Sequence, residues 1–146
     1  NAVEVANKAT GWTKASSHNR AQVLYYMAEN LDTRKEEFAA RLRQTTGVSA
    51  KKAAAEVAAT IQRLFSYGAW ADKYESTVHS PPMRGVTLAM KEALGTIGIA
   101  CPDENPLLSM VSLAAPALAM GNRIVLIPSE RHPLTSTDFY QILETS

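Results

Sequence analysis

Two short runs gather polar side chains of types that could do chemistry: Cys101-Pro102-Asp103-Glu104-Asn105 and Ile127-Pro128-Ser129-Glu130. The first offers a thiol and two carboxylates, the second a hydroxyl and a carboxylate. An ionised carboxylate can only accept hydrogen bonds. Asp103 and Glu104 stand just ahead of a helix, where acids complement the positive end of the macrodipole, and this plain reading competes with any chemical role for them. Glu130 has the same alternative at the helix that follows it. Cys101, the one cysteine, reads as a small buried residue, since free cysteine behaves as a small hydrophobe. His18, His79 and His132 are isolated, solvated or structural, and none has a partner at metal-ligand spacing, so no metal site is expected. A single cysteine also excludes an internal disulfide framework and a cysteine-based zinc site.

The elements that must position these runs follow from pattern. Ser17 can cap a helix with Val23, Leu24, Met27, Ala28 and Leu31 at three-four spacing. Thr33 followed by Glu36 has the form of a capping box for a second helix carrying Phe38 and Leu42, with Gly47 as its stop. Ser49 caps a third, running to about Ser76, with a face of Ala53, Val57, Ile61, Leu64, Phe65, Gly68, Ala71 and Tyr74. Beyond Ser80-Pro81-Pro82 the texture changes. Val86 to Glu92 reads as a strand and Leu94 to Cys101 as a more buried one. A turn from Pro102 to Pro106, a helix from Leu107 to Met120, a strand from Arg123 to Ile127 and a helix from near Pro133 complete the chain. Strand, helix, strand, helix with short turns is the βαβ unit of a parallel, doubly wound sheet, an α/β fold. Ligands of such sheets bind at the carboxyl ends of the strands, which are the two runs above.

Composition narrows the function. The 146 residues carry 15 Lys+Arg against 14 Asp+Glu, a near-neutral balance that draws in neither nucleic acid nor an anionic membrane. The chargeless stretch from Asn105 to Asn122 approaches the length of a spanning helix, but Pro116 and its small side chains favour a buried helix leading into a strand. The opening residues lack the basic and apolar regions of a secretory signal, which makes the cytoplasm the expected location. A start at Asn1 and a stop at Ser146 within a helical pattern suggest a segment of something longer.

The stretch MKEALGTIGIACPDENPLLSMVSLAAPALAMGNRIVLIPSERHPLT resembles the cofactor-domain core of the aldehyde dehydrogenase superfamily, whose pattern runs approximately EPxGVxxxIxPWNFPL, then APALAxGNxVVxKPSExxPLT. The shared positions are Glu92, Gly95, Ile99, Pro102, Pro106-Leu107, Ala115 to Ala119, Gly121-Asn122, Val125, Pro128-Ser129-Glu130 and Pro133-Leu134-Thr135. Upstream, Trp12, Arg20, Leu24 and Met27 resemble the family's first helices. The resemblance implies an α/β segment in three parts: a helical layer over 1–76, strands of an oligomerisation arm over 77–93, and a βαβα unit over 94–146. It also implies that the nucleophilic cysteine, the glutamate base and the glycine-rich pyrophosphate turn lie beyond Ser146, which leaves Cys101 with no part in the chemistry.

The departures from the family pattern bear on function. The family's asparagine, which donates to the oxyanion of the tetrahedral intermediate, falls on Glu104. A carboxylate cannot donate there and would repel the developing charge, and losing one such donor costs about 10²–10³ in rate. Asn105, one residue on, would have to swing in to replace it, and a one-residue offset near a helix start changes the side chain's direction. The family's ribose-binding lysine falls on Ile127, which offers no hydrogen bond. Pro102, Ser129 and Glu130 remain as a degenerate cofactor site, with Glu130 able to accept from a ribose hydroxyl, and Asp103 and Glu104 are poor neighbours for a pyrophosphate. These departures make the best fit the degenerate second module of family-16 type aldehyde dehydrogenases. The resemblance thus implies NAD(P) as the family cofactor but weak or absent binding here, no catalytic residue within the chain, and a structural or protein-interaction role. The alternatives are an active dehydrogenase with an atypical site and a purely architectural piece. The family's arm further implies a homo-oligomer joined through Thr77 to Glu92, where Val86, Leu88 and Met90 form an apolar edge, or a surface hairpin. Other protein partners are compatible with this reading; a nucleic acid or a membrane is not.

Overall fold

Serine caps and one glycine punctuate the helical half. The computed structural model describes all residues, Asn1–Ser146. Two short helices, α1 (Ala2–Lys8) and α2 (Thr10–Lys14), precede α3 (Ser17–Thr33), α4 (Lys35–Thr46) and α5 (Ala50–Lys73). Ser16, not Ser17, caps α3: its backbone is extended and its hydroxyl accepts from the Asn19 N–H at 3.1 Å. The expected Thr33–Glu36 capping box does not form. Thr33 is still helical and its hydroxyl donates back to the Glu29 carbonyl, so the break falls on Arg34, which instead grips Glu37 through two hydrogen bonds of 2.9 and 2.8 Å. Gly47 ends α4 at φ 72°, a conformation glycine adopts without a Cβ penalty. Ser49 then caps α5 through the Lys52 N–H. That helix stops at Lys73, short of the expected Ser76.

The core forms where α3, α4, α5, α6 (Pro106–Ala119) and α7 (Pro133–Glu144) meet. Leu24 and Leu31 of α3, Leu64 of α5, Leu107 of α6 and Ile142 of α7 are fully buried there. Helices α3 and α5 pack closely because Gly68 leaves room for Tyr25: a Cβ at Gly68 would lie 2.7 Å from the tyrosine Cε1. Phe65 and Tyr74, expected on the buried face of α5, are 39% and 46% exposed, while Glu56 and Thr60 are buried on it.

Two separate two-stranded sheets follow. Strands β1 (Thr77–His79) and β2 (Thr87–Ala89) pair antiparallel with Val78 opposite Leu88, and every residue in both is exposed. Strands β3 (Thr96–Ala100) and β4 (Arg123–Ile127) pair parallel in register from Thr96 opposite Arg123 to Ala100 opposite Ile127, with α6 as the crossover. This is the βαβ unit read from the sequence, within a mixed α/β fold.

Three parts of the chain hold α6 in place. At its start, Asn105 adopts φ 45° and makes no side-chain cap, and Pro106 has no N–H. The first free N–H groups, those of Leu107 and Leu108, donate to the buried carboxylate of Glu56 on α5 at 2.9 and 3.3 Å. At its end, Arg20 Nε donates to the Ala119 carbonyl at 3.0 Å and Trp12 Nε1 to the Leu118 carbonyl at 3.1 Å. Arg20 also holds the Ala15 carbonyl. A carboxylate at the positive end and a guanidinium at the negative end both complement the helix dipole. Gly121 then turns at φ 80° under the Arg20 guanidinium, where a Cβ would come within 3.3 Å of it. Asn122, 4% exposed, closes the corner: its Nδ2 donates to the Ala117 carbonyl and its Oδ1 accepts from the Gly95 N–H at the head of β3. At 14 residues, α6 is about 21 Å long, short of a hydrocarbon core of about 30 Å. No helix of the chain is long and apolar enough to cross a membrane.

Candidate functional site

The parallel pairing of β3 and β4 brings the two chemistry-bearing runs side by side at their carboxyl ends. The Cys101 N–H donates to the Ile127 carbonyl at 2.9 Å, so the turn from Pro102 to Asn105 lies beside the turn from Pro128 to Arg131. A single side chain joins the two turns. Asp103 Oδ1 accepts from the Ser129 hydroxyl at 2.6 Å, and Asp103 Oδ2 lies 3.3 Å from Arg131 Nε. Ser129, 5% exposed, in turn accepts the His132 N–H at 3.2 Å, which orients the start of α7. Asp103 therefore does not serve the N-terminus of α6, as its position suggested; Glu56 does, and Asp103 bridges to β4's turn instead.

The remaining residues of the two runs face outward. Pro102, Glu104, Asn105, Ile127 and Glu130 are all exposed. The Glu104 backbone carbonyl accepts from the Ser109 hydroxyl at 2.7 Å, while its carboxylate makes no hydrogen bond or ion pair. Neither Glu104 nor Glu130 engages the helix N–H groups that sequence position offered them. Ile127 leaves 60% of its surface in solvent, an apolar end to an otherwise polar turn.

Cys101 is half-buried rather than fully buried, at the edge of the core, and desolvation pushes its thiol pKa above the ordinary cysteine value. A thiol held protonated is a poor nucleophile. The three histidines stand apart: His18 lies 3.5 Å from Asp72, His79 contacts Thr77, and His132 occupies the N-cap position of α7 without a side-chain cap, its buried Nδ1 meeting no partner. No group of three or more His, Cys, Asp or Glu side chains is placed to hold a metal ion.

Sequence reasoning missed Glu56 and the Asp103–Ser129 bond. The signal for Glu56 was an acid at the spacing of Ala53, Thr60 and Leu64, inside a buried stripe. The bond to Ser129 spans 26 residues and has no local signal. The largest apolar hollow, about 580 Å³ between α6, β4 and α7, includes Pro128 but none of the polar residues of the two turns.

In chemical terms the strand ends are rich in acceptors. A pyrophosphate-bearing ligand needs donors and cations. Ser129 has one donor, engaged by Asp103; Arg131 meets the same carboxylate through Nε alone and keeps most of its side chain in solvent; and the positive end of α6 already holds Glu56.

The aldehyde dehydrogenase family pattern matches residues 1–146. Over 136 residues the chain is 32% identical to the cytosolic 10-formyltetrahydrofolate dehydrogenase of Pongo abelii, covering 90% of this chain and 15% of that protein. Over 139 residues it is 32% identical to an aldehyde dehydrogenase of Agaricus bisporus, covering 92% of this chain and 28% of that one. It superposes on the crystal structure of a glyceraldehyde-3-phosphate dehydrogenase of Methanocaldococcus jannaschii complexed with NADP, at a TM-score of 0.92 and 27% identity over 98% of this chain and 31% of that one. The chain spans less than a third of the length of each of these proteins. Matched along its whole length and sharing the fold, it belongs to the aldehyde dehydrogenase family.

Proposed function

We propose that this chain is part of a catalytically degenerate aldehyde dehydrogenase module, one that binds NAD(P) weakly or not at all and serves a structural or protein-interaction role. The observation that carries this reading is the exposed, unpartnered carboxylate of Glu104 at the position where the family pattern has an oxyanion donor. A negative charge there opposes the charge that develops in acyl transfer, and the loss of a donor alone costs about 10²–10³ in rate. Ile127 in place of a lysine supports the same reading. The test is titration of the full-length protein with NAD and NADP, with aldehyde turnover measured alongside. Binding no tighter than millimolar and no turnover are expected. Micromolar binding, or turnover abolished by replacing the protein's own nucleophilic cysteine, would overturn it.

A second reading, an active NAD(P)-dependent enzyme with an atypical site, is favoured by the dehydrogenase names of relatives that are 32% identical. It expects measurable aldehyde oxidation that Glu104→Asn changes little. On the degenerate reading there is no such activity to begin with.

The β1–β2 arm is proposed to join copies of the protein. Val78, Val86, Leu88 and Met90 expose between 55% and 75% of their surface, and a two-stranded ribbon has little stability of its own. Sedimentation of the full-length protein should show an oligomer that Leu88→Glu dissociates; an unchanged assembly would rule the arm out.

A further inference from the structure

The β1–β2 arm has two unlike faces. Side chains alternate along a strand, and the register sets Val78 directly opposite Leu88. Val86 and Met90, two residues to either side of Leu88, continue that face, and all four are exposed. The other face carries Thr77, His79 and Thr87, with the Thr77 hydroxyl 3.1 Å from His79 Nε2. At the base of the arm, Lys91 Nζ lies 3.5 Å from the Tyr74 hydroxyl and 4.6 Å from the centre of its ring. Tyr74 meets Trp70 edge-on at 5.8 Å, and both line an open hollow of about 290 Å³ with Tyr67, Pro116 and Met120. Trp70 leaves 56% of its surface in solvent, so the hollow is walled by aromatics that this chain leaves uncovered. At the far end of the arm, Pro81-Pro82-Met83 enters the turn, with Met83 exposed. Aromatic-lined hollows receive proline segments, whose backbone is already rigid. Charge agrees with this match. Apart from His79, Arg84 at the tip is the one ionisable residue from Thr77 to Met90, while Glu75 adjoins Tyr74 at the base. Neither makes an ion pair within the chain. We infer that two copies pack the apolar faces of their arms together, antiparallel about a two-fold axis. The turn of each copy seats in the Trp70–Tyr74 hollow of the other, and Arg84 of one faces Glu75 of the other, since a two-fold contact makes every such pairing twice. This rests on the proposal that the arm joins copies and goes further, in assigning each arm the surface it meets.

Sedimentation of the full-length protein tests this, with Leu88→Glu as the marker of assembly through the arm. Trp70→Ala removes a wall from both hollows of a pair and should raise the dissociation constant of the assembly about 100-fold, since aromatic anchors carry most of an interface's energy. Arg84→Glu should raise it about tenfold, because two exposed pairs turn from attraction to repulsion. Adding Glu75→Arg to Arg84→Glu restores opposite charges and should return the affinity of the unaltered protein. Copies carrying both Trp70→Cys and Met83→Cys should run as disulfide-linked dimers after oxidation with diamide, which neither single variant should do. All of these side chains are exposed, and circular dichroism melting checks that each variant is folded. If Leu88→Glu dissociates the assembly while Trp70→Ala and Arg84→Glu leave it unchanged, this inference fails and the arm still joins copies. A loss in Arg84→Glu that Glu75→Arg does not restore would likewise overturn the pairing of tip with base. A monomeric full-length protein, or an assembly indifferent to Leu88→Glu, would overturn both this inference and the reading beneath it.

Discussion

Replacing Glu56 with alanine tests whether α6 depends on a side chain borrowed from α5. The Glu56 carboxylate is 6% exposed and accepts from the Leu107 and Leu108 N–H groups at 2.9 and 3.3 Å. Asn105 provides no side-chain cap and Pro106 no donor, so no other protein group meets these two N–H groups. Leu107 is fully buried, and water cannot replace the lost acceptor there. Each stranded donor costs about 1–3 kcal/mol, less for the half-buried Leu108, and the lost charge at the helix N-terminus adds about 0.3–1 kcal/mol. Together these predict a loss of about 3–5 kcal/mol for Glu56→Ala. Glu56→Gln keeps one carbonyl oxygen in place and loses only the charge, so about 1 kcal/mol is expected. Urea denaturation of both variants, with equal slopes, reads the difference directly. Two variants within about 0.5 kcal/mol of each other would refute the reasoning, because the acceptor itself would then contribute nothing.

Four further outcomes follow from the same geometry. Gly68→Ala should cost about 1–3 kcal/mol in the same denaturation assay, because its Cβ would press on the Tyr25 ring at 2.7 Å and a packed ring cannot simply swing away. Cys101 should react with iodoacetamide at neutral pH more slowly than free cysteine, since burial holds its thiol protonated; faster reaction would contradict that placement. The bidentate hydrogen bond from Arg34 holds the Glu37 carboxyl below its ordinary range. The stability it lends is therefore complete above that range and disappears as pH falls through the depressed value. Both groups lie at the surface, so Glu37→Gln should flatten the acid limb of the stability curve by less than about 1 kcal/mol. Glu104→Asn and Ile127→Lys should each shift stability by no more than about 0.5 kcal/mol, since neither side chain is held by the rest of the chain; larger melting shifts would show unseen contacts.

How far the sequence could be read depended on whether a signal was local. The run from Arg123 to Ile127 is β4 to the residue, because four consecutive branched aliphatics after Arg123 are bounded by Gly121-Asn122 on one side and Pro128 on the other. Gly47 and Ser49 marked true helix ends, since each cap acts within a few residues of itself. Thr33 and Glu36 misled for the same reason in reverse: the pattern of a capping box was present, but Arg34 could pair with Glu37, and the chain broke one residue later. Helices α1 and α2 carry no apolar stripe and bury no residue, so periodicity could not find them. They are held by bonds across about a hundred residues, from Thr96 and Arg123 to Asn7 and from Trp12 to Leu118. At the candidate site, the neighbouring of the two turns was legible from the βαβ order alone. The Asp103–Ser129 bond that joins them was not, because either residue reads equally well as a turn or cap residue.

The division of labour among these residues explains how a framework of this kind can persist while its chemistry changes. Trp12, Arg20, Glu56, Gly121 and Asn122 all act on α6 or on the corner that leads from it into β4, through hydrogen bonds or a backbone angle that few other residues could supply. A substitution at any of them is opposed by stability. Glu104, Ile127 and Glu130 stand on the same framework but are exposed, and their side chains form no bond within the chain. Folding places no demand on them, so only a ligand or a reaction could constrain their identity. Asp103 falls between these groups: it is near the surface, yet it ties the turn after β3 to the turn after β4. By holding two turns together, its carboxylate has a part in the fold that the carboxylate of Glu104 lacks. Asp103 and Ser129 are therefore the residues of the two turns that stability constrains, whereas the identities of Glu104 and Ile127 are left to whatever ligand or reaction the site serves.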